Sequence, residues 1–251
     1  MKNSRRQFIK KSALGAGLGL SLPNLLEGID LSDIADDSNV IVFQGDSITD
    51  AGRNKEHQAA NNSGSLGRGY VSLIASELLG KYPGKNWQCY NRGISGHKVH
   101  QLAARWQEDC LDLKPDVLSI LIGVNDFWHT LTHDYKGTVE VYEEDLRNLL
   151  DLTLSAMPDL KLIIAEPFAV DGGSAINNDD WFPAFNGYRK AAKSIAKDYN
   201  AAWVPYQTVF DEALDKASVD YWCPDGVHPA PAGNYLMAQA WLKAFQKLMS
   251  T

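Results

Sequence analysis

The sequence predicts one α/β domain, a three-layer α/β/α sandwich around a five-stranded parallel sheet. Five short apolar runs, typical of buried strands, alternate with segments in which apolar residues recur at helical spacing. This alternation indicates a parallel sheet covered on both faces, because each crossover helix packs back onto the sheet. A length of 251 residues fits one such domain and leaves little room for a second.

The predicted elements follow one another in a regular order. The strand segments are VIVF (40–43), WQCY (87–90), VLSILI (117–122), LKLIIA (160–165) and AWVP (202–205). Helices are predicted over residues 69–79, 99–111, 139–156, 185–197, 209–216 and 231–249. Residues 170–180 are rich in Gly, Asn and Asp and predict an exposed loop.

The basic N-terminal segment is interpreted as a targeting signal. Residues 4–10 read SRRQFIK and resemble the bacterial twin-arginine export signal, and a weakly apolar stretch over 12–22 follows. That stretch is too short to cross about 30 Å of hydrocarbon as a helix. We therefore expect an exported protein, periplasmic or extracellular, with the signal and a disordered N-terminus over residues 1–36 and the folded domain over residues 37–251.

The charge of the chain restricts its partners. The formal net charge is -7, and the first 23 residues hold five of the 24 basic side chains and no acid. The remainder therefore carries 19 basic and 31 acidic residues, a net charge of -12. Such a body repels nucleic acid and anionic lipid, so neither nucleic-acid binding nor membrane insertion of the mature form is expected. The oligomeric state is left open, homo-oligomers included.

Ligands of parallel α/β folds bind at the carboxyl ends of the strands, and polar clusters follow three predicted strands here. The first is GDSIT, residues 45–49. A serine in a strand-to-helix turn exposes its hydroxyl near free backbone N–H groups, but it needs a base to become a nucleophile. The alternative is that Asp46, Ser47 or Thr49 only caps a helix.

The base is predicted in the last loop, where residues 225–229 read DGVHP. An aspartate three residues before a histidine can reach one imidazole nitrogen and leave the other free. Asp225 would then fix the tautomer of His228 and stabilise the imidazolium. The alternative is a surface loop with an ordinary histidine.

Two further clusters follow strands, NRGISG at residues 91–96 and GVND at residues 123–126. Glycines allow a backbone N–H to face a ligand, and the amide of Asn125 can donate to a developing oxyanion. The alternatives are an ordinary βα loop and a simple turn.

Together these clusters resemble the four blocks of the SGNH, or GDSL-type, hydrolases. The resemblance implies a flavodoxin-like fold in which Ser47 is the nucleophile, His228 the base and Asp225 its orienting acid. It further implies an oxyanion hole formed by the backbone N–H groups of Ser47 and Gly93 and by the side chain of Asn125.

A closer likeness is to the bacterial acetyl-xylo-oligosaccharide esterases. The motifs that carry it are GDSITDAGR (45–53), GRGY (67–70), GISG (93–96), RW (105–106) and GVNDFW (123–128). This likeness implies a serine esterase that hydrolyses short acyl esters, such as O-acetyl groups on a plant-type glycan, without cofactor or metal. His129 stands where those relatives often carry arginine.

Four residues near these motifs are candidate substrate contacts. Tyr70, Trp128 and Trp222 could stack on sugar rings, and core packing is the alternative for each. Arg53 could contact a substrate oxygen or pair with a surface acid.

Two other functions remain open from the sequence. A lysophospholipase or thioesterase on the same scaffold would need a long apolar groove for its acyl chain. A non-catalytic carbohydrate-binding protein could have kept the fold, although the full set of catalytic residue types speaks against it.

Histidine and cysteine positions give no firm sign of a metal site. Two histidine pairs have suitable spacing, His97 with His100 and His129 with His133. No matching cysteine or carboxylate set completes either pair, so no metal is expected. The three cysteines allow at most one disulfide, with the pairing open: Cys89, Cys110 and Cys223.

Overall fold

A computed structural model of the chain describes residues 39–250, so the predicted signal over residues 1–36 lies outside the described residues. Five parallel strands form one sheet: β1 Val40–Gly45, β2 Gln88–Asn91, β3 Val117–Leu121, β4 Lys161–Ala165 and β5 Ala202–Val204. Their order across the sheet is β2-β1-β3-β4-β5. The predicted five-stranded parallel sheet is confirmed, with every strand within two residues of its expected bounds.

The strand order changes direction at β1, which pairs with β2 on one side and β3 on the other. The connections leaving β1 and β3 therefore go to opposite sides of the sheet, which opens a crevice at the carboxyl ends of these strands. Ser47, Gly93 and Asn125 all lie just beyond strand ends around this crevice.

The helices, in chain order, are α1 Ser47–Asp50, α2 Tyr70–Lys81, α3 Val99–Ala103, α4 Trp106–Asp109, α5 Val124–Thr132, α6 Val139–Ala156, α7 Asn178–Trp181, α8 Phe185–Asp198, α9 Tyr206–Leu214, α10 Val219–Trp222 and α11 Pro231–Met249. Short 3-10 turns lie at Pro83–Lys85 and Leu111–Leu113. Within residues 39–250, no helix combines the length and the apolar character needed to cross a membrane.

One layer of helices, α2 and α11 with α9, packs through aromatic side chains on the sheet. The Phe43 ring lies 5.1 Å from Trp241 on α11 and 6.3 Å from Tyr70 on α2. The Trp241 indole N–H donates to Ser119 Oγ on β3 at 2.9 Å, so its one polar atom is satisfied inside the core. Each such buried ring contributes about 1.5–3 kcal/mol to the free energy of unfolding.

The other layer contains α3 to α8. Tyr142 on α6 lies 5.4 Å from Tyr188 on α8, and Phe127 on α5 lies 5.5 Å from Phe185 on α8. This contact holds the first turn of α5, which carries Asn125, against the rest of the layer.

The structure corrects the predicted helix over residues 99–111, which divides into α3, α4 and a 3-10 turn. The break falls at Arg105, whose backbone leaves the helical region (φ −122°, ψ 12°). It lets Trp106 enter the core and donate its indole N–H to Thr153 Oγ1 at 2.8 Å. Packing therefore overrides local helix periodicity here. The other five predicted helices lie within three residues of their expected bounds.

The structure rules out one alternative and modifies one loop prediction. The simple turn weighed as the alternative for residues 123–126 is not formed, because Val124 begins α5 directly after Gly123. The predicted exposed loop over 170–180 lies partly against the His228 loop, because the Val170 and Ala175 N–H groups donate to the carbonyls of Gly226 and Asp225. Turn-forming composition does not reveal what a loop packs against.

Candidate active site

The segment that carries Ser47 is fixed by a helix cap. Asp46 Oδ1 accepts a hydrogen bond from the Ile48 N–H at 3.0 Å and caps α1, whose first residue is Ser47. The capping alternative therefore holds for Asp46 and leaves the hydroxyl of Ser47 available. As the first helical residue, Ser47 also has no intrahelical acceptor for its backbone N–H.

Ser47, His228 and Asp225 form a continuous hydrogen-bonded chain. Ser47 Oγ lies 2.8 Å from His228 Nε2, although 181 positions separate them in sequence. His228 Nδ1 lies 2.6 Å from Asp225 Oδ2. Asp225 Oδ1 accepts the backbone N–H groups of Val227 at 2.8 Å and His228 at 2.6 Å, so the carboxylate cannot rotate freely.

The charges of this chain suit a general base. The hydrogen bond with Asp225 raises the pKa of His228, and its effect exceeds the opposite effect of burial. Burial raises the pKa of Asp225, but the hydrogen bonds from His228 and the backbone outweigh it and hold the pKa below its usual value. The imidazole therefore faces an ionised carboxylate on one side and the serine on the other. The His228 side chain is 43% exposed, so substrate can reach it.

Asn125 lies in the first turn of α5 and is almost fully buried. One hydrogen of its amide nitrogen points to the carbonyl of His97 at 3.2 Å. The second hydrogen of the amide is then available to a substrate oxygen.

The backbone N–H of Gly93, which was predicted as an oxyanion donor, already has a protein acceptor in the structure. Its N–H donates to the side-chain oxygen of Asn91 at 2.9 Å, and the Asn91 amide nitrogen in turn bonds the carbonyls of Thr49 and Leu66. A Cβ at position 93 would lie 2.4 Å from the backbone nitrogen of Asp50. Gly93 is therefore a site of close backbone packing under α1, which corrects its expected role.

Gly96 has the free N–H in this loop. Within the described chain, every backbone N–H from residue 92 to 99 donates to a protein acceptor except that of Gly96. Gly96 has φ of 80°, a conformation that glycine adopts readily, and it precedes His97, whose carbonyl holds the Asn125 amide. The N–H groups of Ser47, Gly96 and Asn125 are therefore the candidate oxyanion donors of this site.

Comparisons with known proteins identify relatives of this chain. Residues 43–236 match the profile of the GDSL-like lipase/acylhydrolase family. The chain is also 35% identical over 205 residues to an acetylxylan esterase of Geobacillus stearothermophilus, an alignment that covers 81% of this chain and 92% of that protein.

The chain belongs to the GDSL-like lipase/acylhydrolase family. It is a carboxylic ester hydrolase with the SGNH fold. A protein of Parabacteroides merdae described as a GDSL-like lipase is 49% identical, with a TM-score of 0.82 over 84% of this chain and 96% of that one. The crystal structure of the Geobacillus stearothermophilus acetylxylan esterase is 33% identical, with a TM-score of 0.73 over 82% and 93% of the two chains.

Two of the predicted substrate contacts of this esterase are wrong because the side chains are buried. Tyr70 is 1% exposed, and its hydroxyl pairs with Thr49 Oγ1 at 3.0 Å within the core. Arg53 is 5% exposed, and its Nε donates to the carbonyl of Gly93 at 2.8 Å. Arg53 therefore supports the loop that carries Gly96.

The two predicted tryptophans differ in position. The ring of Trp128 is half-buried and lies 6.4 Å from the imidazole of His228. Trp222 is half-buried on α10, where its indole N–H donates to the carbonyl of Ala217 and its ring meets Tyr221. Trp128 alone of these two adjoins the catalytic chain, so it is the better candidate for contact with a sugar.

Two buried carboxylates near the site were not expected from the sequence. Burial raises the pKa of Asp46 and of Asp126 to about 7, and one oxygen of each has no protein partner. Asp126 Oδ1 accepts the Val99 N–H at 3.2 Å and so ties α5 to the start of α3. No sequence signal distinguishes these two from exposed aspartates.

One histidine of each pair with metal-like spacing contacts a cation in the structure. His97 Nδ1 accepts from Arg105 Nε at 3.3 Å, and His129 Nδ1 lies 3.1 Å from Lys98 Nζ. Burial, Lys98 and His133 lower the pKa of His129 to about 4. All three cysteines are free, buried thiols: Cys89, Cys110 and Cys223.

Replacing Gly93 with alanine is expected to lower the free energy of unfolding by about 1–3 kcal/mol, because the new Cβ would overlap the backbone of Thr49 and Asp50. Gly80→Ala on α2 is the matched control: it meets nothing within 4 Å and should raise stability by about 0.5–1 kcal/mol through helix propensity. Urea unfolding of both variants measures the difference. Equal stability of the Gly93 variant and the wild type would contradict the close packing.

Proposed function

We propose that this esterase removes acetyl groups from a plant-type glycan, with acetylated xylo-oligosaccharides as the substrate class. The observation that carries the proposal is the 2.8 Å contact between Ser47 Oγ and His228 Nε2, together with the hydrogen bond from His228 Nδ1 to Asp225. The support for an acetylated glycan is the similarity to the acetylxylan esterase and the position of Trp128 beside His228.

In the first half of the reaction, Ser47 Oγ attacks the carbonyl carbon of the acetyl ester while His228 Nε2 accepts the serine proton. The carbonyl oxygen becomes an oxyanion that the N–H groups of Ser47, Gly96 and Asn125 stabilise. Asp225 stabilises the imidazolium. His228 then donates its proton to the departing sugar oxygen, which leaves an acetyl group on Ser47.

In the second half, water occupies the space left by the sugar and His228 accepts one of its protons. The hydroxide equivalent attacks the acetyl carbon, and the same three donors stabilise the second oxyanion. His228 returns the proton to Ser47 Oγ as acetate leaves. No step needs a metal or a cofactor.

An acetylated glycan agrees with the surroundings of the site. An aromatic face at Trp128 can stack on a sugar ring, and a neutral glycan is not repelled by an acidic protein of net charge -7. Export, as residues 4–10 predict, would bring the enzyme to such glycans outside the cytoplasm.

Acetate release from acetylated xylo-oligosaccharides, compared with other acetylated plant glycans, tests the substrate class. On p-nitrophenyl esters of two to twelve carbons, we expect kcat/KM to fall by about tenfold or more with the first added carbons. Preference for long chains would indicate a lipolytic enzyme. Absence of turnover, together with failure of a fluorophosphonate to label Ser47, would indicate a binding protein.

A further inference from the structure

The backbone that presents Gly96 is held on one side by Asp50. Ser95, the residue before Gly96, donates both its backbone N–H and its hydroxyl to Asp50 Oδ2, at 3.0 and 2.9 Å. The Ser95–Gly96 peptide carries the free N–H itself, so the position of Ser95 sets the direction in which that N–H points. His97 N–H, bonded to the Ile94 carbonyl, closes the turn on the other side.

Asp50 belongs to the same helical turn as the nucleophile. It is the last residue of α1, whose first residue is Ser47, and its N–H bonds the carbonyl of the Asp46 cap. The Ala51 N–H bonds the carbonyl of Ser47 at 2.9 Å and closes the same turn. The hydroxyl that attacks the carbonyl and the carboxylate that holds Ser95 are therefore linked by one short hydrogen-bonded turn.

The carboxylate of Asp50 is 1% exposed and fully used. Oδ1 accepts the Arg53 N–H at 3.1 Å, and Lys55 Nζ reaches Oδ2 at 2.7 Å beside the two Ser95 donors. Burial raises the pKa of Asp50, but the hydrogen bonds with Lys55 and Ser95 outweigh it and hold the pKa below its usual value. Asp50 is thus an ionised, anchored acceptor at neutral pH.

We propose that Asp50 is a positioning residue for catalysis: through Ser95 it aims the N–H of Gly96 at the oxyanion formed on the substrate of Ser47. The inference rests on the proposed function, because it assigns the oxyanion role to Gly96. A donor that acts on the oxyanion stabilises the transition state more than the ground state, so loss of its alignment lowers kcat and leaves KM nearly unchanged.

Asp50→Ala is the main variant, with kcat expressed per active site counted by fluorophosphonate titration. We expect kcat on p-nitrophenyl acetate to fall roughly 10- to 100-fold. This loss does not exceed that for removal of an entire oxyanion donor, because the N–H of Gly96 is misaligned but still present. KM should change by less than about threefold. Ser95→Ala, at an exposed position, removes only the hydroxyl contact and should lower kcat about three- to tenfold. It also serves as the test if the Asp50 variant does not fold.

Inhibition by a trifluoromethyl ketone separates positioning from general destabilisation. Ser47 Oγ adds to the ketone carbon, its proton passes to His228, and the ketone oxygen becomes a bound oxyanion. For Asp50→Ala the inhibition constant should rise by the same factor by which kcat/KM falls. A merely structural role would lower the number of titratable sites and leave the inhibition constant per site unchanged.

Lys81→Met is the matched control, because it removes an exposed lysine whose ion-pair partner is Glu77 on α2 and not Asp50. Lys81 is 44% exposed, so its loss should change kcat by less than about twofold. If wild-type enzyme hydrolyses acetyl esters but Asp50→Ala and Ser95→Ala keep the wild-type kcat and inhibition constant, the positioning role is wrong and the proposed function stands. If the wild type neither turns over nor labels, the proposed function itself fails.

Discussion

Ser47→Ala is expected to lower kcat on p-nitrophenyl acetate by about 10⁴- to 10⁶-fold, because the variant has no nucleophile and can form no acyl-enzyme. The residual rate would come from the oxyanion donors and the remaining base. The free energy of unfolding should change by less than about 1 kcal/mol, since the lost side-chain contact is one hydrogen bond to the exposed His228. Enzyme assay and urea unfolding measure the two quantities.

Ser194→Ala on α8 provides the control for this loss. Ser194 is exposed and distant from the catalytic chain in the fold, and only a long contact with Asp198 would be removed. Its activity and its labelling by a fluorophosphonate should match those of the wild type. Labelling of the Ser47 variant at the wild-type rate would show that another residue is the nucleophile.

Asp225→Asn is expected to lower kcat by about 10²- to 10⁴-fold. Asp225 Oδ1 accepts two backbone N–H groups, so an asparagine would keep its oxygen there and turn its amide nitrogen toward His228 Nδ1. That amide donates to Nδ1 and places the imidazole proton on Nε2. The base would then face Ser47 with the wrong tautomer.

The pH profile gives a second measure of the same variant. In the wild type, kcat/KM should fall as pH decreases through the raised pKa of His228, because protonated imidazole cannot accept the serine proton. Asp225→Asn removes the main cause of the raised pKa of His228, so the acid limb of the variant's pH profile should move to lower pH. Asp220→Asn on the exposed side of α10 is the control and should keep the wild-type profile. An unmoved acid limb in the Asp225 variant would contradict the assignment.

Much of the architecture could be predicted because it depends on local chemistry. The largely apolar run over residues 117–122 is unfavourable in contact with water, and its burial on both faces is typical of a parallel sheet. The residue types of the catalytic chain were also readable, since Asp225 and His228 are three residues apart and a serine followed a predicted strand. The Asp225–His228 hydrogen bond is therefore local in sequence, whereas the Ser47–His228 contact is not.

The second oxyanion donor could not be chosen from the sequence. Gly93 and Gly96 share one short motif, and both tolerate unusual backbone conformations. Which N–H remains free depends on Asn91, whose side chain folds back onto Gly93 because Thr49 and Leu66 hold its amide. Those partners lie 42 and 25 positions away, so no local pattern reveals the choice.

Two of the four predicted substrate contacts were wrong for a related reason. Tyr70 and Arg53 belong to motifs that resemble those of the esterases, but the sequence does not say toward which side a chain segment turns its side chains. α2 turns Tyr70 into the core beside Phe43, and Arg53 lies beneath the Gly93 loop. Amphipathic side chains such as these serve either the core or a ligand with equal chemistry, and only the packing decides.

The sequence by itself determined the layers, the strand-end location of the site and the residue types there that can serve as nucleophile, base and acid, because periodicity and residue chemistry are local properties. Tertiary structure alone decided that Ser47 Oγ meets His228 Nε2, that Gly96 keeps the free N–H, and that Asp50 holds the turn before it. Each of these depends on hydrogen bonds between residues tens of positions apart, whose partners exist only once the sheet has brought its strand ends together.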